Sequence, residues 1–496
     1  MLNKKLLALS ITAMLSASAM SQTNHFDIDY ADPQGFGVND TEQFMSPTGE
    51  TTIGEYRKGL IELATRAVSL QFNFTTQHHL IIDFTAPNGY AALTSGPIFS
   101  EVLDGSVTDS FGVMELGRTY PSTLVSALTE VEYIYGEDAK VSFSDKQTSL
   151  EANDDEKYPG IVYDAYHEMM HVLGFVTTDC LGTCIPEPVS RDSHVSSFIY
   201  YNDAGVIKEF ESLSLSQKTD AYLSTDGLRF GGSQASRDAA VNELTSGHQD
   251  GYVYMHSTPN ENGDVDSQSG GHFSFDVSPA QLMYSSRAAT EDIGMAAYLL
   301  CDVGWCRGQG KVIEQSVTAS VNENASDENE MVIDMSISEN INVGVDEFEF
   351  TFTTDPDVEL ISFEDTAELC SSIGGGSYRC NGELGALSTV ELRLIVTNSE
   401  AYTLKGELKS TGFDVDRNGF NNILDAHFEN KQVDVEDSTD GESTDDDSTS
   451  DDPTPTTPIV SAPQPQSGGG GSMSYILLPM LLLAVLRRRA GMGISA

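Results

Sequence analysis

Residues 161 to 175 read IVYDAYHEMMHVLGF, and the run HEMMH inside them, His167 to His171, decides how the chain is to be read. On an α-helix a step of four residues turns about 400°, so His167 and His171 project from nearly one face and can share one metal ion. Glu168 is rotated by about 100° from His167. Its carboxylate then lies beside a metal rather than on it, within reach of a proton on water held there. Pro159 suits a helix start and Gly174 a left-handed helix end, which predicts a helix between them. Ile161, Ala165, Met169, Val172 and Phe175 give that helix apolar surroundings, leaving the His-Glu-His side as a polar patch on an otherwise buried element. The bland alternative is a solvated helix face with no common task for these side chains.

A catalytic zinc needs a third protein ligand and one open position for water. The compact pattern HExxHxxGxxH would put that ligand at position 177, which is Thr177. It must come from elsewhere: His25, His78, His79, His194, His248, His256, His272 and His427 are the histidines to weigh, with Glu187 as a carboxylate option. His272 stands out by context. Residues 270 to 286, GGHFSFDVSPAQLMYSS, place it after two glycines and eleven residues before Met283. His194 is the substitute to test next, and His248 and His256, in a Gly-, Asn- and Asp-rich stretch, read as surface residues.

With these residues in view, the chain resembles the metzincin zinc endopeptidases and, within them, the leishmanolysin-like group. In that group an insertion separates the HExxHxxG helix from a distant third histidine, which stands eleven residues before the methionine of the Met-turn. His272 and the pair Leu282-Met283 match that spacing, and AAYLLCDVGW, residues 296 to 305, looks like the helix that follows the turn. The resemblance implies that His167, His171 and His272 hold Zn²⁺ and that Glu168 is the general base. Met283 would be a hydrophobic floor under the metal, since a thioether suits softer metals.

The ends of the chain speak to compartment. Lys4 and Lys5, the apolar run Leu6 to Leu15 and Ala17-Ser18-Ala19 follow the order of a secretory signal peptide, assigned to residues 1–19. At the other end a glycine-serine run, Ser467 to Ser472, precedes the apolar stretch Met473 to Leu486 and then Arg487, Arg488 and Arg489. Fourteen apolar residues reach only about 21 Å at ~1.5 Å each, against a bilayer core of about 30 Å. The arginines favour a cytoplasmic end, which leaves the glycines at the outer membrane face. This tripartite tail, residues 467–496, resembles the GlyGly-CTERM sorting signal of some Gram-negative bacteria. That resemblance implies signal peptidase, a rhomboid-like sorting protease and the type II secretion machinery as partners. It also implies a transient inner-membrane, transmembrane-like anchor before the protein reaches the cell surface or medium. A permanent tail anchor is the alternative.

The 496 residues carry 26 basic and 76 acidic side chains, a formal charge of −50, and loss of both ends would remove five bases and no acid. A surface of that sign repels phosphate and argues against nucleic-acid partners. Hydrophobic residues at 39% are enough to bury real cores, which excludes wholesale disorder.

Between the ends the pattern changes twice. Residues 20–310 alternate strand-like and helix-like segments: His79 to Phe84 and Val141 to Phe143 read as strands, and Thr123 to Val131 as an amphipathic segment. Residues 311–436 carry period-two runs such as Met331 to Ile337, Glu347 to Phe352, Val390 to Val396 and Tyr402 to Leu408, the pattern of an immunoglobulin-like β-sandwich. Asp434 to Asp452 has ten acids and no base, and with the proline-rich stretch after it makes residues 437–466 an extended, self-repelling linker. The expected fold is therefore an α+β metzincin-like catalytic domain followed by an all-β immunoglobulin-like sandwich.

The six cysteines form local pairs, Cys180 with Cys184, Cys301 with Cys306 and Cys370 with Cys380, and export favours disulfides. Other pairings remain open, because six cysteines allow fifteen. Residues 414 to 425, DVDRNGFNNILD, meet the start of a calcium loop through Asp414, Asp416 and Asn418, with Asp425 at the twelfth place, so Ca²⁺ is a second cofactor to consider. Asn421 stands where such a loop carries an apolar residue. A turn rich in Asp and Asn between the last two strands is the competing reading. Taken together, the sequence predicts a secreted zinc endopeptidase acting on protein or peptide substrates. The alternatives are a zinc hydrolase of non-peptide substrates and an inactive surface adhesin.

Overall fold

The computed structural model describes residues 24–429, except 48, 73, 88–89, 95–98, 102–113, 115–117, 131–137, 147–148, 154–155, 176–192, 226, 267, 308–309, 324–325, 327–329, 342–345, 356–368 and 398–400. The segments read as a signal peptide, a linker and a sorting tail lie outside the described residues, as do Thr177, Cys180, Cys184 and Glu187. Among the described residues no helix is long and apolar enough to cross a membrane.

The chain opens with β1 (Phe26–Tyr30) and the hairpin β2 (Gln43–Ser46) to β3 (Gly49–Thr52), then runs into α1 (Ile53–Gln71) and β4 (His78–Asp83). Thr52 caps α1 by accepting the Glu55 amide at 3.2 Å. Next come β5 (Ala92–Thr94), the pair β6 (Phe99–Glu101) with β7 (Thr119–Pro121), α2 (Ser122–Thr129), β8 (Ala139–Phe143) and α3 (Gly160–Val172). Strands β1, β4 and β8 pair in parallel and β5 closes the edge antiparallel to β8, giving the order β1-β4-β8-β5. A second, antiparallel sheet follows, of order β10-β9-β11-β13-β12. It is built from β9 (Ile199–Asp203), β10 (Val206–Glu209), β11 (Leu228–Phe230), β12 (His248–Gln249) and β13 (Tyr252–Tyr254). Helices α4 (Leu215–Leu223) and α5 (Gln234–Glu243) lie within this part, and α6 (Met295–Leu300) ends it. The segment read as one closing helix is helical only to Leu300; a wider, π-type turn then carries Cys301–Trp305, with Gly304 at φ +124°. The Cys301–Cys306 disulfide spans that turn.

The later chain forms two antiparallel sheets. One has the order β15-β16-β20, from Gln315–Val321, Glu330–Glu339 and Thr389–Thr397. The other has the order β18-β19-β17-β21-β23, where β17 is Asp346–Asp355, β18 Cys370–Gly374, β19 Ser377–Leu384, β21 Ala401–Ser410 and β23 Ile423–Glu429. Period-two patterning does here what it does in any half-buried strand: Phe348, Phe350 and Phe352 of β17 and Ile333, Met335 and Ile337 of β16 turn into one shared core, while the residues between them face outward. Cys370 and Cys380, directly opposed on β18 and β19, are joined as a disulfide.

The two cores are stitched together by a short stretch near the end of the described chain. Here β14 (Val312–Ile313) pairs in parallel with β22 (Val415–Asp416), and Val312, Val415, Phe420 and Ile423 belong to the core of the first part rather than the second. Arg417 makes a two-pronged ion pair with Asp292, at 2.5 and 3.1 Å, and a further one with Glu243 at 2.7 Å. Gly419 runs so close to α1 that a Cβ there would sit 2.0 Å from the Ala67 carbonyl oxygen, so only glycine fits. Arg66 of α1 pairs with Glu407 of β21 at 2.6 Å.

Candidate metal centre

Helix α3 begins after Pro159 and ends as expected at Gly174, whose φ of +106° and whose approach to Pro121, 2.5 Å from where a Cβ would lie, both exclude a side chain. The final turn closes with Phe175 N donating to Met170 O at 2.9 Å and Gly174 N to His171 O at 3.0 Å. Two side chains take up carbonyls that the helix end leaves over: Thr123 Oγ1 donates to Val172 O at 2.8 Å, and Trp305 Nε1 to Leu173 O at 2.9 Å. Every residue of α3 is buried. The polar patch read from the sequence therefore faces an enclosed space, with Glu168 only 1% exposed.

His272 reaches that space from a segment held on both sides. Its carbonyl accepts from His256 N at 2.8 Å, Ser274 N donates to Tyr254 O at 2.9 Å, and Phe273 N donates to Met283 O at 2.7 Å. Residues 272–274 are thus laced to the end of β13 on one side and to the Leu282-Met283 turn on the other. The result brings His167, His171 and His272 together, with their ligand atoms all within 4.8 Å of one another. Among the described residues this is the one group of three or more His, Cys, Asp or Glu side chains that converges so.

The two nitrogens of each ring have separate jobs. Nδ1 of His167 meets Leu282 O at 2.9 Å, Nδ1 of His171 meets Phe175 O at 2.7 Å, and Nδ1 of His272 meets Gln268 O at 3.1 Å. A carbonyl can only accept, so each Nδ1 carries the proton and each Nε2 is left with a lone pair. Those Nε2 atoms face one another, at 3.2 Å for His167 with His272 and 3.3 Å for His171 with His272. Three lone pairs at that range repel unless a cation lies between them, and a proton is a poor one here. Burial holds His167 down to about 4 and His171 to about 3, the latter also pushed by His167, and His272 falls well below the ordinary imidazole range for the same reasons. Tetrahedral ligation with Zn–N of about 2.0–2.1 Å separates nitrogens by about 3.3 Å. The observed spacing fits that requirement, and the backbone acceptors on Nδ1 are the outer contacts that metal-bound histidines use. The cluster can therefore hold a metal ion.

Glu168 is fixed by a residue the sequence did not single out: Thr94 Oγ1, on the edge strand β5, donates to its Oε2 at 2.6 Å. No periodicity or spacing marks Thr94. Asp164, one turn earlier on α3, is 5% exposed, and burial raises its carboxyl to about 7 against the pull of Arg287. Met283 is fully buried in the first core. The other histidines do not join the cluster. His194 stacks on Tyr120 at 4.7 Å, His78 is packed against Phe26 and Phe74, and His25 lies against Phe74 as well. His79 sits on β4 and His427 on β23, where its ring meets Thr403 Oγ1 at 3.0 Å. His248 and His256 are half-buried rather than surface residues: His248 pairs with Val253 of β13, and His256 N donates to the His272 carbonyl at 2.8 Å.

The run from Asp414 to Asp425 forms a turn and an interlock. Asp414 accepts from Lys311 N at 3.0 Å and Ser410 Oγ at 2.8 Å. Asp416 accepts from Asn418 N, Asn422 Nδ2 and Gln315 N at 3.0, 2.9 and 3.2 Å. Asn418 Oδ1 takes Phe420 N at 3.0 Å, while Asp425 lies away on β23 facing Lys405 at 3.9 Å. The three carboxylates do not converge, so the segment is the Asp- and Asn-rich turn and not a calcium loop; amides and side-chain donors hold the oxygens of Asp414 and Asp416 that a cation would need.

Comparison with known proteins adds little to this geometry. No family model matches the chain, and no curated protein matches it. Among solved structures, a FixG-related protein from Vibrio parahaemolyticus aligns at 10% identity and TM-score 0.15, over 24% of this chain and 96% of its own. ChBD2 from Thermococcus kodakarensis KOD1 aligns at 18% identity and TM-score 0.13, over 21% and 97%. BslA, a bacterial hydrophobin, aligns at 15% identity and TM-score 0.15, over 23% and 89%.

Proposed function

We propose that the chain is an exported zinc-dependent endopeptidase of metzincin type, in which His167, His171 and His272 would hold the metal and Glu168 would move the proton. One observation carries this reading: three buried imidazoles converge within 4.8 Å, His272 Nε2 standing 3.2 and 3.3 Å from those of His167 and His171, with the buried carboxylate of Glu168 on the same helix. A bound zinc ion would supply an acidified water, of pKa about 7, and would polarise the carbonyl under attack. Glu168 would accept a proton from the attacking water and return it to the departing amine nitrogen. Thr94, donating to Oε2, keeps the carboxylate turned to one rotamer for both transfers. The carbonyls of Leu282, Phe175 and Gln268 orient the three rings. Export through the signal peptide, sorting through the 467–496 tail and an immunoglobulin-like second domain belong to the same proposal. Digestion of reduced casein by the mature protein, with and without a chelator, tests it. Chelator-sensitive cleavage that is lost in Glu168→Gln is expected, and chelator-insensitive cleavage would overturn it.

A further inference from the structure

The segment that carries His272 also carries a second row of rings. Gly270 N donates to His256 O and His256 N to His272 O, each at 2.8 Å. Gly271, between them, comes so near the centre that a Cβ there would stand 3.8 Å from Cε1 of His171. His256 is thereby clasped to the stretch that meets the metal-facing imidazoles, and its ring is close enough to lower the basicity of His272 further. From His256 the row runs on: its ring and that of Phe275 are T-shaped with centroids 6.4 Å apart, and Phe275 and Tyr284 are 5.4 Å apart. Tyr284 follows Met283, so the row starts beside one of the three imidazoles and ends beside the Leu282-Met283 turn.

The middle ring is the unusual one. Phe275 is 56% exposed, whereas the other Phe, Tyr and Trp side chains among the described residues are buried or half-buried. A lone exposed apolar side chain is ordinary. This one is a rigid ring flanked by two others on the segment that supplies His272, and its open side offers apolar surface to an incoming group. Charge narrows what that group is. The chain's −50 repels a second copy of itself and an anionic membrane alike, and Asp276 next to the ring disfavours an acidic side chain. An uncharged apolar side chain of a peptide meets neither penalty.

We propose that Phe275, held between His256 and Tyr284, receives an apolar or aromatic side chain of the substrate close to the bond being cut and so sets specificity. Contact with the ring removes apolar surface of both partners from water, which favours Leu, Met, Phe or Tyr over Ser, Asp or Glu at that place. This assignment rests on the peptidase reading and names the substrate class for it.

The test maps the cut sites in a casein digest by mass spectrometry for the wild type, Phe275→Ser and Phe275→Leu, with metal content and unfolding midpoint confirming that each variant has folded. Apolar residues are expected at one fixed position relative to the cut about tenfold above their share in casein. Phe275→Ser should remove most of that enrichment, and Phe275→Leu should keep most of it. On one peptide taken from the digest, Phe275→Ser should lower kcat/KM about tenfold, and the loss should shrink to under about threefold when the apolar residue of the peptide is alanine. No positional preference, a preference that Phe275→Ser leaves intact, or an equal loss on both peptides overturns the proposal. So does binding to phosphatidylcholine vesicles that Phe275→Ser abolishes, which would make the ring a membrane contact. If the wild type cuts nothing, the peptidase reading fails and the ring is judged by saturation-transfer NMR with N-acetyl-phenylalaninamide. A signal lost in Phe275→Ser then supports an apolar side-chain site, and an equal or absent signal overturns it.

Discussion

The helix carrying His167 and His171 and the loop from Asp414 to Asp425 both present ligand-type residues at metal-binding spacing, and their surroundings put them to opposite uses. On the helix, backbone carbonyls occupy the Nδ1 side of each ring and leave the Nε2 side facing only other imidazoles. In the loop, amides and side-chain donors occupy the carboxylate oxygens themselves. A candidate ligand is thus distinguished less by its type than by whether the protein already satisfies the atom that would bind. Asp and Asn do both tasks well, which is why a D-x-D-x-N run alone decides nothing.

The contrast can be broken most forcefully at Glu168. Glu168→Gln should lower hydrolysis by about 10²–10⁴, the range for losing a general acid–base group, with metal content unchanged. A variant that cuts as well as the wild type would remove the carboxylate from the mechanism. Phe420 comes next, because it packs on Tyr166 of α3 at 4.8 Å and on Tyr158 at 5.0 Å, making the loop a support for the metal helix. Phe420→Ala should cost about 3–5 kcal/mol in denaturant unfolding; a loss under 1 kcal/mol would mean that the loop merely rests there.

Metal-free protein offers a pH test of comparable or smaller size. The folded-state pKa of His167, about 4, lies below the unfolded value of 6.5, so the unfolded chain binds the extra proton first as pH falls. Stability is therefore fully present above about 6.5 and is lost on the way down to about 4, by roughly 3 kcal/mol for this residue. Unfolding midpoints that stay level from pH 7 to 5 would contradict the burial of neutral imidazoles. Asp416→Ala should cost about 1–3 kcal/mol by stranding the donors it serves. Millimolar Ca²⁺ should leave the wild-type unfolding midpoint where it is; a rise that Asp416→Ala removes would make the loop a cation site after all.

Much of this was legible in the sequence because local geometry carries it. Helical spacing places His167 and His171 on one face, and period-two runs mark strands such as Asp346–Asp355 whose alternate residues are buried. The spacing of His272 from Met283 is informative only through the resemblance to leishmanolysin-like proteins, and the fold gives it a physical basis: Phe273 N donates to Met283 O, so the histidine and the turn are hydrogen-bonded neighbours. What the sequence hides are partners set by long-range packing. Thr94 on a three-residue edge strand, Arg287 before Asp164, and Arg417 between Asp292 and Glu243 have no periodicity that announces them. The complete burial of α3 was hidden too, since its far side is covered by Phe420 from a loop 250 positions later.

Metal analysis of the purified wild type and of His272→Ala, each exposed to micromolar zinc and then desalted, bears most directly on the three imidazoles. One zinc per wild-type chain and little or none in the variant is the expected result. A wild type that retains no metal, or a variant that retains as much as the wild type, would contradict the assignment of a shared centre to His167, His171 and His272.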